Sequence, residues 1–232
     1  MIRIIVCFSR SLAACELLHM VGAETLNPYE CRETMRKSQG GAAYRTVRLS
    51  PYNRLLKNFV SNEVVIFGDL SLGNGKETNE ILCRLKGRLC LIRGNHDERY
   101  LRDKDFDASR FEWIKDYAEI HDNKRKIVLM HYPVFCYNGQ FRRGADGTPL
   151  TYMLHGHIHK SEDQVLVDRF CAETRAMMRK SAHQETAQPV PCQMINCFCM
   201  YSDYTPLTLE EWVECDQRRC ENNTLGNIGG SK

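Results

Sequence analysis

Five short apolar runs rich in branched residues set the plan of this chain: "IRIIVCF" at 2 to 8, "EVVIFGD" at 63 to 69, "GRLCLIRG" at 87 to 94, "KIVLMHYP" at 126 to 133 and "TYMLHGH" at 151 to 157. Runs so short and so continuously apolar predict strands buried on both faces. Helical stretches alternate with them. In "GKETNEILCRLKG", Ile81, Leu82 and Leu85 form an apolar stripe and Gly87 marks the stop. Beyond residue 157, "SEDQVLVDRFCAETRAMMRKS" has helical composition and "PCQMINCFCMY" returns to strand. A last helix is expected in "TPLTLEEWVECDQRR", with Thr208 as N-cap, followed by a flexible tail over 222 to 232. The alternation predicts an α/β fold. With no internal repeat or low-complexity linker, residues 1 to 232 read as one domain. Residues 9 to 62 are atypical, with weak periodicity around "SQGG".

With 43% apolar and 26% charged residues the chain has globular composition, and a net charge of +3 spread without a basic stripe points to no nucleic-acid partner. No apolar run has the length of a membrane span. Twelve cysteines without paired C-x-x-C spacing fit a reducing, cytoplasmic compartment better than a disulfide framework. Cys83 and Cys90 read as small core residues, and Cys197 and Cys199 of "NCFC" as buried thiols in preference to ligands of a soft metal. Leu12 to Cys15, "LAAC", has the form of a lipoprotein cleavage box, but Arg10 interrupts an apolar stretch already too short for a signal peptide.

Four polar signatures fall at the carboxyl ends of predicted strands: Gly68-Asp69, Gly94-Asn95-His96-Asp97, His131, and the "GHIH" of Gly156 to His159. Loops at that rim of an α/β sheet share one crevice, so residues distant in sequence are expected to meet there. Carboxylate and amide oxygens with imidazole nitrogens suit Mn, Fe, Zn or Ni. His157 and His159, two apart, project to one side if the segment is extended. The preceding glycines permit sharp turns. His155 reads as structural and His19, His121 and His183 as surface groups. Arg142 and Arg143 would clamp a substrate phosphate, though a solvated hairpin around Asp146-Gly147 is the favoured reading of their loop. Tyr132, Phe135, Tyr137 and Phe141 read as packing beneath that loop rather than as a stacking platform.

In this order and spacing the signatures resemble the motifs of the calcineurin-like metallophosphoesterase superfamily, above all its small bacterial and phage-type members, over residues 63 to 215. The resemblance implies a sandwich of two mixed β-sheets flanked by helices and a site for two divalent metal ions, manganese foremost. It makes Asp69 the bridging carboxylate, with Asn95, His131 and His157 completing one metal and His159 binding the other. His96 would protonate the leaving alkoxide, with Asp97 orienting its ring, after attack by a metal-activated hydroxide. The expected function is hydrolysis of phosphomonoesters or phosphodiesters, with nucleic acid a partner only as substrate.

The family's opening D-x-H motif is missing: Arg10 and Leu12 stand where its acid and histidine belong, and neither ligates a cation. Three readings stay open. Glu16, His19 or Glu24 supplies replacement ligands; the chain holds one metal as a weak or inactive binding relative; or residues 9 to 62 reflect a local frame error. A histidine-based zinc module binding nucleic acid fits the charge poorly. Substrate and oligomeric state stay open.

Overall fold

Val64, Val65 and Ile66 are buried on both sides of their strand, and so are Leu89, Cys90 and Leu91, as continuous apolar runs require. The computed structural model describes residues 2–5, 63–85, 87–180, 185–203 and 205–228, and everything below concerns these residues. Arg10, Leu12, Glu16, His19, Glu24 and His183 lie outside them.

The elements follow in order: β1 (Ile2–Ile5), β2 (Glu63–Ile66), α1 (Gly75–Leu82), β3 (Arg88–Ile92), α2 (Glu98–Leu101), β4 (Phe111–Lys115), β5 (Tyr117–Asp122), β6 (Arg125–Met130), β7 (Thr151–His155), α3 (Asp163–Ala176), β8 (Met178–Arg179), β9 (Gln188–Pro189), β10 (Met194–Asn196) and α4 (Leu209–Ile228). Strands and helices are both abundant, as an α/β reading expects. One sheet runs β1-β2-β3-β4 and a second β10-β7-β6-β5, with β8-β9 a separate ribbon. The described strands of the first sheet are all parallel, which departs from the expected mixture. The second is mixed: β10, β7 and β6 run parallel, and β5 joins β6 antiparallel. That hairpin turns through Asn123 and Lys124, both with positive φ, the geometry of a two-residue type I′ turn.

Alternation along the second sheet divides its side chains between two cores. Ile127, Leu129, Tyr152, Leu154 and Ile195 join Val64, Leu89 and Leu91 of the first sheet and Trp212 of α4 in one apolar cluster. Their neighbours Val128, Met153 and Met194 point to the opposite face and pack with Val167 and Cys171 of α3. β6, β7 and β10 thus bury consecutive residues in two different cores.

The helix signals hold locally. Asn74 and Glu77 close a capping box at the start of α1, and Thr208 and Glu211 do the same for α4, where Thr208 N–H donates to Glu211 Oε2 at 2.7 Å. Ile81, Leu82 and Leu85 are buried as the stripe predicts. Cys83 departs from its expectation: it caps α1 and is exposed, because its position falls off the stripe. Cys90, Cys197 and Cys199 are buried free thiols. The expected tail is helical further than anticipated, since α4 runs through Ile228. Arg219 of α4 grips Asp168 of α3 through two hydrogen bonds of 2.8 Å and so ties the two helices.

Candidate metal centre

The carboxyl ends of β2 and β3 lie side by side because the strands are parallel, and the two loops that follow are interlocked. Gly68 (φ 73°) and Asp69 (φ 51°) both take left-handed backbone, which a non-glycine residue adopts only when its surroundings hold it there. The restraint is Asp97. Its wholly buried carboxylate accepts the N–H of Asp69 at 2.9 Å and of Leu70 at 2.8 Å, and the N–H of Gly94 at 2.7 Å. The resemblance makes Asp97 the group that orients the His96 ring; the structure instead uses both its oxygens to bind backbone. Burial pushes its pKa up to about 6, against backbone and Tyr100 hydrogen bonds that hold it down. Gly94 has no room for a side chain: a Cβ would lie 2.6 Å from Asp69 N and 2.9 Å from His131 Cε1.

These turns present Asp69 to the second sheet. Asp69 Oδ1 accepts the backbone N–H of His96 at 2.9 Å, and its other oxygen lies 3.6 Å from His131 Nε2. His131 follows β6 and is 1% exposed. Its Nδ1 lies 2.8 Å from the carbonyl of Phe67, which can only accept; in the tautomer with its proton on Nδ1 this bond is made and Nε2 presents its lone pair. Burial lowers the pKa of this ring, against the charge of Asp69, and keeps it neutral.

Facing that lone pair stand three further groups: Asn95 Oδ1 at 3.1 Å, His157 Nδ1 at 3.2 Å and Asp69 Oδ2 at 3.6 Å. A single hydrogen lying along the lone pair satisfies at most one of these approaches. Electron-pair donors gathered around one nitrogen in this way are of the kind that a cation draws together. One carboxylate oxygen, one amide oxygen and two imidazole nitrogens are the donor types that suit a divalent ion of borderline hardness. Among the described residues no three His, Cys, Asp or Glu side chains stand close enough to form a metal-holding group by themselves.

His157 and His159 do not lie on a strand. β7 ends at His155, and residues 157–160 form a turn, in which His159 takes φ 50°. The turn, not strand alternation, places the two rings. The carbonyl of His159 accepts Asn196 Nδ2–H at 2.7 Å, and the same amide binds Gln164 of α3. Burial lowers the pKa of both histidines, that of His159 to about 4, leaving neutral rings that can donate electron pairs. His96 is half-buried at the rim and Asn95 is exposed.

Arg142 and Arg143 sit on a hairpin closed by the Arg143–Pro149 bridge and by Gly144 N–H donating to Thr148 O at 2.8 Å; Arg142 is exposed. The solvated hairpin of the favoured reading is what forms. Of the loop aromatics Tyr137 packs underneath, whereas Tyr132, Phe135 and Phe141 are substantially exposed. Tyr132 stands with its ring centroid 4.4 Å from that of His157, a wall of the site that sequence reasoning missed although it adjoins His131. His121 is exposed, and His155 is buried in the structural position expected of it.

No family model matches the chain, and no curated protein matches it. A solved protein of unknown function, AQ665 from Aquifex aeolicus, is similar at 18% identity with a TM-score of 0.47, over 91% of this chain and 96% of that one. At that level the likeness assigns neither family nor function. No helix among the described residues is long and apolar enough to cross a membrane.

Proposed function

We propose that this chain is a metal-dependent phosphoesterase of the calcineurin-like type, its two sheets forming that family's sandwich. The observation that carries the reading is the convergence on His131 Nε2 of Asn95 Oδ1, His157 Nδ1 and Asp69 Oδ2 at 3.1, 3.2 and 3.6 Å. Asp69, Asn95, His131 and His157 would hold one ion, and Asp69 with His159 would contribute to a second. A bound Mn, Fe, Zn or Ni ion supplies Lewis-acid polarisation of a phosphoryl oxygen and lowers the pKa of water towards neutrality.

The chain's own groups do the rest. Asp97 fixes the two loops so that Asp69 and Asn95 keep their relative positions when substrate arrives. His96, with its backbone anchored to Asp69 Oδ1, is the proton donor to the leaving alkoxide. Tyr132 lines the approach beside His157.

A second reading, a one-metal relative of low activity, is favoured by Arg10 and Leu12 standing where the family's D-x-H motif would place an acid and a histidine. The deciding experiment is hydrolysis of p-nitrophenyl phosphate and bis(p-nitrophenyl) phosphate with and without added manganese, alongside metal stoichiometry by elemental analysis. Manganese-stimulated turnover with two ions per chain supports the dinuclear enzyme. One ion and no turnover favours the binding relative. No retained metal under any reconstitution sinks both.

A further inference from the structure

Behind the sheet that carries His131 and His157 lies a second chemically distinctive pair. Cys171 on α3 and Cys192, just before β10, hold their sulfurs 3.9 Å apart. We propose that Cys171 and Cys192 are a redox-active dithiol that closes reversibly to a disulfide, with a peroxide as oxidant. This rests on their own geometry and not on the phosphoesterase reading.

Several contacts set the pair apart from the other buried cysteines. Cys197 and Cys215 aim their sulfurs at backbone carbonyls, at 3.9 and 3.1 Å, which keep the proton on sulfur. Cys192 instead receives a donor, the Gln140 side-chain N–H at 3.2 Å. An N–H pointed at sulfur favours thiolate, the nucleophilic form. The hydrogen bond shared with Cys171 acts in the same direction and holds the Cys192 thiol below its ordinary value, while Cys171 is held above it.

The backbone around Cys192 is fixed on both sides of the sulfur. Its carbonyl accepts Arg175 Nε–H at 2.7 Å, from the turn of α3 that follows Cys171. Gln193 is clamped by Tyr137, whose hydroxyl accepts the Gln193 N–H at 2.7 Å and donates to the Gln193 carbonyl at 2.9 Å. α3 therefore presents Cys171 and grips the Cys192 peptide at once. A disulfide requires sulfurs about 2.05 Å apart, so closure asks for about 2 Å of approach, within the reach of χ1 rotation at two side chains.

The chemistry balances. The Cys192 thiolate attacks one peroxide oxygen, the O–O bond breaks, and the departing hydroxide takes a proton to leave as water. The Cys171 sulfur then attacks the resulting sulfenic acid, the S–S bond forms, and the hydroxyl leaves as a second water with the Cys171 proton. Two thiols are oxidised and one peroxide is reduced. Peroxide is close to water in size, which suits an enclosed pair.

The test is peptide mapping of the full-length protein after hydrogen peroxide, with free thiols trapped by iodoacetamide. The expected product is the Phe170–Arg175 peptide linked to the Ser181–Arg218 peptide, lost on dithiothreitol treatment, with fragment-ion sequencing placing the link at Cys192 and the alkyl groups at Cys197, Cys199 and Cys215. Gln140→Leu, which leaves both cysteines in place, should slow crosslinking several-fold. Recovery of Cys171 and Cys192 both alkylated, while the exposed Cys83 and Cys136 oxidise, would overturn the proposal. So would accumulation of Cys192 sulfinic acid without the crosslink, because Cys171 would then not be the resolving thiol.

Discussion

The backbone N–H of Asp69 donates to the buried carboxylate of Asp97 at 2.9 Å, and this bond joins two loops of the same sheet. Because Gly94 N–H binds the same oxygen at 2.7 Å, Asp97 sets the distance between the Asp69 loop and the Asn95 loop. Asp97→Asn places an amide N–H against a backbone N–H donor. The expected cost is about 2 to 3 kcal/mol of stability, the scale of a buried hydrogen bond to a charged group. A urea-unfolding midpoint checks it. A loss within experimental error would mean that the loops are held by something other than this carboxylate.

Gly94→Ala tests the close approach directly. A methyl group there meets Asp69 N at 2.6 Å, and backbone cannot step aside as a flexible side chain can. Overpacking of this kind costs about 1 to 3 kcal/mol, and a parallel loss of manganese affinity is expected because Asp69 is displaced. Thermal unfolding with and without manganese separates the two effects: the metal-induced rise in Tm should shrink in the variant.

Ligands and proton donor should separate in mutagenesis. His131→Ala and Asn95→Ala remove donors and should weaken metal binding measured by calorimetry. His96→Ala should leave binding near that of the unsubstituted protein yet lower kcat about 10²- to 10⁴-fold, the range of general acid catalysis. Equal losses of metal in all three variants would place His96 among the ligands.

His155 makes the folded state sensitive to acid. Its ring is wholly buried, and burial lowers its pKa to about 3. The folded pKa lies below the unfolded value, so the unfolded chain takes up the proton first as pH falls. Stability is then full above about pH 6.5 and declines towards pH 3, by about 1.4 kcal/mol per pH unit at its steepest. Asp97, with its pKa raised to about 6, pulls the other way between pH 4 and 6, since its folded state holds the proton longer. The comparison is therefore made by difference: His155→Phe should show a shallower loss of Tm between pH 7 and 4 than the unsubstituted protein. Parallel Tm profiles would remove His155 as the cause.

Much of the framework was open to reading from local pattern. Continuous apolar runs located β2, β3, β6 and β7, and the capping residue Thr208 located the start of α4. β4 and β5 were missed because "FEWIK" and "YAEIHD" alternate apolar and polar residues and so lack the continuous signature, although period-two alternation was itself a signal. The spacing of two between His157 and His159 fits an extended segment, but it fits a turn equally well once φ 50° at His159 is allowed.

The sequence by itself determined which side chains the strand ends carry and that they are oxygen and nitrogen donors, because strand ends follow from apolar periodicity within a few residues. Only the tertiary structure decided how those donors face each other. That parallel pairing sets β2 beside β3 and β6 beside β7, that the Phe67 carbonyl holds the Nδ1 edge of the His131 ring and turns Nε2 towards Asn95 and His157, and that Asp97 binds backbone, all depend on contacts between residues tens of positions apart. Chain spacing carries no record of such contacts, since the distance between two loops is set by what packs between them.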